Sequence, residues 1–149
     1  NLMNNYHQNV IVDSVFFHQM ERYVESQYHR GKPYIGEYLD EVTGYWLMGD
    51  RERSRYYNHS TFNDLVIRGI AGLHPRADNT LEVHPLVPED QWDWFCLDNV
   101  RYHNHTISII WDKYGNRYRH GKGLRIFVDG KEVGKTDKLQ RVVCENALN

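Results

Sequence analysis

The chain is poor in the residues that mark specialised classes. Cysteine occurs twice in 149 residues, at Cys96 and Cys144, far apart and at neither metal-finger nor redox spacing. The pair reads as two free buried thiols or, alternatively, one long-range disulfide. Proline occurs four times, and no stretch is of low complexity or internally repeated. No apolar run approaches the roughly 20 residues of a membrane span. The opening Asn1-Leu2-Met3-Asn4-Asn5 has neither a basic n-region nor a long apolar stretch, so no secretory leader is read there. Positive charge is not in excess either: 18 Lys and Arg stand against 20 Asp and Glu, for a formal net charge of −2. The cations are scattered, so no basic stripe points to nucleic acid.

Aromatic residues are abundant, at 13% of the chain, with 11 Tyr, 4 Trp and 5 Phe. Many lie beside polar groups, as in Arg55-Tyr56-Tyr57-Asn58-His59 and Trp92-Asp93-Trp94-Phe95. Rings with polar tips suit sugars, which offer apolar C–H faces and polar edges. For any one of them, core packing is the plainer reading.

Hydrophobic periodicity divides the chain in two. Leu2 to Tyr6 reads as a helix already under way with no cap before it, so something is expected to precede it. Asp13 or Ser14 is placed to cap a helix from about Val15, with Phe16, Met20, Tyr23 and Val24 on one face and a stop at Gly31 and Pro33. A second helix is expected from Asn58 or Ser60, with Phe62, Val66, Ile70 and Leu73 on one stripe. Gly69 and Gly72 would admit a neighbouring backbone, and Pro75 would close the helix. From Thr80 the period becomes that of strands: Leu81 to Val83, Thr106 to Trp111, and Leu124 to Val128 joined by Asp129-Gly130 to Lys131 to Val133. Asp-Gly fits a type I′ hairpin turn. Gln140 to Cys144 is a candidate last strand. The expected fold class is α+β, with helices over residues 1–76 and a β-rich, sandwich-like domain over 77–149.

The connection between the helices carries the chemistry. It runs Pro33-Tyr34-Ile35-Gly36-Glu37-Tyr38-Leu39-Asp40-Glu41-Val42-Thr43-Gly44-Tyr45-Trp46 and on through Arg53-Ser54-Arg55-Tyr56-Tyr57-Asn58-His59-Ser60-Thr61. About 25 residues without clear periodicity, rich in Tyr, Trp, Glu and Arg, favour a functional segment over a disordered one. Glu37, Asp40 and Glu41 are its candidate acid–base carboxylates. Tyr34, Tyr38 and Trp46 could stack on sugar rings or simply pack. Arg53 and Arg55 could clamp hydroxyls or a carboxylate, or pair with Asp50 or Glu52. His59 could touch substrate or cap a helix. Asp98, Asp112 and Asp129 lie in or beside turns, where a structural role is expected. His103 and His105 share a strand face, but no further ligand joins them, and neither a metal nor a cofactor is expected.

The arrangement Gly36-Glu37-Tyr38 followed by Thr43-Gly44, with a helix start at Asn58-His59-Ser60-Thr61, resembles the last active-site segment of (α/α)6-barrel glycoside hydrolases. It is most similar to the family 63 and mannosylglycerate-hydrolase group of Bacteroidetes. Leu81-Glu82-Val83-His84-Pro85-Leu86-Val87-Pro88, the Trp92 to Asp98 stretch and Gly121-Lys122-Gly123-Leu124 resemble the strand domain that follows the barrel. Asn58-His59-Ser60-Thr61 departs from the Trp-Ser/Thr that many members have there. The resemblance implies the terminal helices of a truncated barrel, Glu37 as general base, and Tyr34, Tyr38, Trp46, Arg55, Asn58 and His59 near an α-linked glycoside or oligosaccharide. It also implies that related enzymes are often exported.

Inverting hydrolysis needs two carboxyl groups about 6.5–9.5 Å apart, one to protonate the leaving oxygen and one to activate water. The resemblance implies that the acid is an Asp well upstream of the base, and no residue before Glu37 matches it, since Asp13 is better explained as a cap. The acid is therefore expected outside this chain, in the remainder of the barrel, and the 149 residues alone are expected to be inert. The competing reading is a non-catalytic carbohydrate-binding or accessory domain. The two differ in one respect: a binding module should fold alone and hold sugar, whereas a barrel piece should expose an apolar helical face.

Overall fold

The computed structural model describes residues 11–37, 39–47, 52–57 and 61–149. The helix expected at Leu2 to Tyr6 lies outside them, as do Tyr38, Asn58 and His59. The fold is α+β, with two helical segments and antiparallel sheets, and the barrel itself is not in this chain.

Helix α1 spans Asp13–Ser26. It starts two residues earlier than the capping pattern predicts: Val12 is the N-cap and no side chain caps the end. Asp13 instead sits in the first turn, where a carboxylate favours the positive end of the helix dipole. Phe17 and Met20 form its buried face, while Phe16 and Tyr23 are half-buried and Val24 is exposed. The helix ends well before Gly31. The chain turns back through strands β1 (Tyr28–His29) and β2 (Lys32–Pro33), which pair Tyr28 with Pro33. Arg30 and Gly31, at φ 51° and 73°, make the tight turn between them, so Gly31 serves a hairpin and not a helix stop.

The second helix begins at Phe62 among the described residues. Phe62–Leu65 (α2) is α-helical, and Val66–Ile70 continues as a π-turn. It closes at Gly72 and not at Pro75. Leu73, expected on the helical stripe, opens strand β3 (Leu73–His74). Gly72 takes φ +81°, and a Cβ there would lie 2.2 Å from the Pro85 backbone nitrogen. A Cβ on Gly69 would lie 2.2 Å from the Phe16 ring. Gly72 thus admits a neighbouring backbone as expected, whereas Gly69 makes room for a ring instead.

Strands β3, β4 (Leu81–Val83) and β9 (Val142–Cys144) form one sheet in the order β3-β4-β9. All three residues of β4 are buried, so Glu82 has no solvent face in spite of the alternating pattern. Its carboxylate accepts from Arg141 Nε at 2.7 Å and Arg76 Nη1 at 2.9 Å. Burial alone would raise the Glu82 pKa, but the two guanidinium groups outweigh it and hold the carboxylate below its ordinary value.

The remaining strands make a four-stranded meander: β5 (Trp94–Tyr102), β6 (His105–Asp112), β7 (Gly123–Val128) and β8 (Lys131–Thr136). Both two-residue turns have positive φ at each central position, 46° and 68° at His103-Asn104 and 49° and 79° at Asp129-Gly130. That is the type I′ geometry, which matches strand twist. Ile107, Ile109, Trp111, Leu124, Ile126 and Val128 point into one core with Leu81, Val83, Phe17, Met20 and Ile70. Both cysteines are free; Cys144 is buried, whereas Cys96 is exposed on β5. His103 stacks on Tyr102, and His105 pairs with Asp129 at 2.6 Å.

Candidate functional site

The segment after α1 is held by turns and rings. Tyr34 N–H donates to the Gln27 carbonyl at 2.9 Å, returning the chain to the end of the helix. The backbone then runs through Gly36 and Glu37 to Leu39, which bridges to Trp46 in antiparallel fashion. Asp40 closes the turn between them. Its Oδ1 accepts from Thr43 N–H at 2.7 Å, Thr43 Oγ1 at 2.8 Å and Val42 N–H at 3.1 Å. The Asp40 carboxylate lies below its usual range because the Thr43 amide and then the Thr43 hydroxyl donate to it. Gly44, at φ +65°, completes the turn.

Four rings meet beneath this turn. Trp46 is 5% exposed, packs edge-on to Tyr34 with centroids 5.2 Å apart, and donates Nε1–H to the Tyr28 carbonyl. His29 lies against Tyr34 and Tyr45, with its Nδ1 3.0 Å from Tyr45 Oη. Gly36 is wedged into the cluster: a Cβ there would fall 2.6 Å from Tyr34 Cε1 and 2.9 Å from Trp46 Cε3. The backbone immediately before Glu37 is therefore fixed by aromatic contact. Glu37 itself is half-buried, and Glu41 is exposed at the turn tip.

Tyr56 N–H donates to the Ile35 carbonyl at 2.8 Å, which brings Arg55 and Tyr56 beside the strand leading to Glu37. Arg55 is exposed, with its guanidinium 5.5 Å from the Tyr56 ring centroid. A groove of about 570 Å³ opens alongside, lined by Tyr23, Gln27, Tyr28, Tyr34, Tyr56 and Asn63 among others. The Tyr34 hydroxyl is buried and meets no hydrogen-bond partner among the described residues.

Of the residues the sequence nominates, Tyr34 and Trp46 pack together, Glu37 follows Gly36 in the same segment, and Arg55 is brought near by the Tyr56–Ile35 hydrogen bond, while Tyr38, Asn58 and His59 lie outside the described residues. Sequence reasoning missed His29, Tyr45 and Tyr56. The Arg30-Gly31 turn was the available signal for His29, because a tight hairpin there folds Tyr28 and His29 back onto Pro33 and Tyr34. Among the described residues no group of three or more His, Cys, Asp or Glu stands where it could hold a metal ion. None of their helices is long and apolar enough to cross a membrane.

Two family models match separate parts of the chain. Residues 4–60 match the mannosylglycerate hydrolase MGH1-like glycoside hydrolase domain, and residues 75–134 match the C-terminal domain of glycosyl hydrolase family 65. A solved structure from Bacteroides, named Sialidase, is 72% identical with a TM-score of 0.94. The match covers 99% of this chain and 14% of that one, so the chain spans about one-seventh of its neighbour's length.

Proposed function

We propose that this chain, which is glycoside hydrolase sequence of the Bacteroidetes kind, supplies the general base of a glycosidase whose acid lies elsewhere in a longer protein. Carbohydrate is the substrate class that the two families imply. The finer assignment rests on the surroundings of Glu37. Its backbone is clamped by the Gly36 wedge between Tyr34 and Trp46, as positioning a base to within a fraction of an ångström requires. The competing Asp40 carboxylate has its Oδ1 occupied by three donors of its own turn, and Glu41 projects from the tip into solvent.

In this reading Glu37 takes a proton from water, and the water attacks the anomeric carbon of an α-linked glycoside with inversion. Tyr34, Tyr38, Arg55, Asn58 and His59 are assigned to binding the sugar, and Trp46 acts by holding Tyr34 and the backbone before Glu37. Residues 1–76 belong to the catalytic helical part and 77–149 to the strand domain behind it. Ile11, Val12, Val15, Val24 and Leu65 are exposed, but Val15 and Val24 lie on opposite sides of α1, so they make no single apolar helical face, and the choice over a free-standing binding module rests on the two family matches. The name Sialidase belongs to a chain about seven times longer, and neither matching family description mentions that activity.

The test compares the longer parent protein with its Glu37→Gln variant on a panel of α-linked oligosaccharides. A loss of about three orders of magnitude in kcat, with fold and substrate binding retained, is expected of a positioned base. Unchanged turnover would remove Glu37 from the role. The isolated 149-residue chain is expected to show no turnover on the same panel.

A further inference from the structure

We infer that the outer face of the four-stranded sheet carries a second saccharide-binding groove, separate from Glu37 and selective for neutral sugars. The strand alternation that sends Ile107, Ile109 and Trp111 into the core sends Thr106, Ser108 and Ile110 to the opposite face. There a groove of about 510 Å³ opens, within the about 300–1,000 Å³ of small-molecule clefts. Its lining includes Asp98, Asn99, Ser108, Tyr118, His120 and Phe127.

Three features shape it. The register shift between Leu97 and Val100, with Asn99 at φ +57°, marks a bulge in β5 that places Asp98 and Asn99 on the groove wall. The Asp98 carboxylate accepts from Ser108 Oγ and from Asn99 Nδ2, so three polar groups are already ordered together. The opposite wall is the 113–122 loop. It is pinned by the buried Asp112 carboxylate, whose oxygens accept from the backbone N–H groups of Gly115 at 2.8 Å, Arg117 at 2.7 Å and Tyr118 at 3.0 Å. That anchoring holds Tyr118 and His120 over the sheet, with the His120 ring edge-on to Phe127 at 5.0 Å.

The result is the rings of Tyr118, His120 and Phe127 beside the carboxylates of Asp98 and Asp129, the Asn99 amide and the hydroxyls of Thr106, Ser108 and Tyr118 in a concave setting. Sugars present this pairing in reverse: C–H faces for the rings, and adjacent hydroxyls that donate to a carboxylate and accept from an amide. Charge selects among saccharides. The groove residues include the carboxylates Asp98 and Asp129 and no Lys or Arg, which disfavours a sialic acid or other anionic sugar. The groove needs the glycoside hydrolase reading only for the class of ligand, and not the assignment of Glu37.

The experiment is hydrogen–deuterium exchange on the longer parent protein with maltotetraose and α-mannobiose as neutral probes and 3′-sialyllactose as the anionic one. At least one neutral probe is expected to slow exchange in peptides covering residues 96–108 and 117–121. That protection should fall at least tenfold in apparent affinity in an Asp98→Ala, His120→Ala variant, while turnover of the parent's best substrate stays unchanged. Asp98→Asn, which keeps the side-chain shape, guards against a folding artefact and should show the same direction. The inference is overturned if neither neutral probe protects these peptides, if protection survives both variants, or if only 3′-sialyllactose protects them. Failure of Glu37 would appear in turnover alone, and failure of the groove in exchange alone.

Discussion

The β5–β8 meander and the Glu37 segment are held by different means. In the meander, consecutive strands pair over five to seven residues, and the inward side chains of β6 and β7 are buried. In the segment from Tyr28 to Trp46, the ladders are two residues or a single bridge long, and the order comes from ring contacts and one carboxylate-centred turn. Beside it, Ile35, Tyr45, Leu47 and Tyr56 remain exposed. A meander of that kind carries its own hydrophobic driving force. The site segment is locally shaped but thinly buried, which fits a surface completed by further protein.

Mutations can sharpen that contrast. Ile109 lies at the centre of β6 with no exposed surface, so Ile109→Ala should cost about 3–4 kcal/mol of global stability in denaturant unfolding. A cost under about 1 kcal/mol would show that the meander is not the stabilising unit. Acid should come next. Glu82 and Asp112 both titrate below their ordinary values: burial opposes this at each, and the Arg141 and Arg76 pairs and the loop N–H groups respectively outweigh it. A lowered folded-state pKa adds stability that is fully present above the unfolded pKa and is lost as pH falls through the folded one. Unfolding midpoints should therefore hold near neutrality and decline below about pH 4.5. In Glu82→Gln the decline should be shallower from a lower starting stability, and an equally steep decline would dissociate it from Glu82. Gly36→Ala should have the smallest global effect, below about 1 kcal/mol, because this segment can open locally while the core stays closed. Its near-ultraviolet circular dichroism should nevertheless change as Tyr34 and Trp46 are pushed apart, and a large loss of global stability would contradict the local character assigned to the site.

What the sequence makes legible follows the range of the interactions. The Asp129-Gly130 hairpin can be read directly, since the turn is set by two residues whose left-handed conformations are local properties. The Asp40 to Gly44 turn is not read from its residues in this way, because Asp40 stands there as a candidate base and its role as acceptor for Val42 and Thr43 shows only in the fold. Strand β5 escapes notice because its bulge at Leu97 to Val100 breaks the alternation that would mark it. The second helix reads too long because Leu73 lies three residues after Ile70 and so stays in phase with the helical stripe. What ends the helix is the contact between Gly72 and the His84-Pro85 backbone, which is tertiary and invisible to periodicity. At the candidate site, Tyr34, Glu37 and Trp46 stand in one continuous motif and can be picked out together. His29 joins them only through the fold of the preceding hairpin.

The placement of β9 also bears on the order in which this chain comes together. The meander needs only neighbouring strands to find one another, whereas Arg141 must reach Glu82 across a separation of 59 residues. Closing so long a loop costs more entropy than closing a two-residue turn, so local pairing is favoured early and the β4–β9 match late. A contact made after the folding barrier leaves the rate of folding almost untouched and acts on the rate of unfolding. The Glu82–Arg141 pair then works as a latch: it governs how long the folded chain lasts, and hardly at all how quickly it forms.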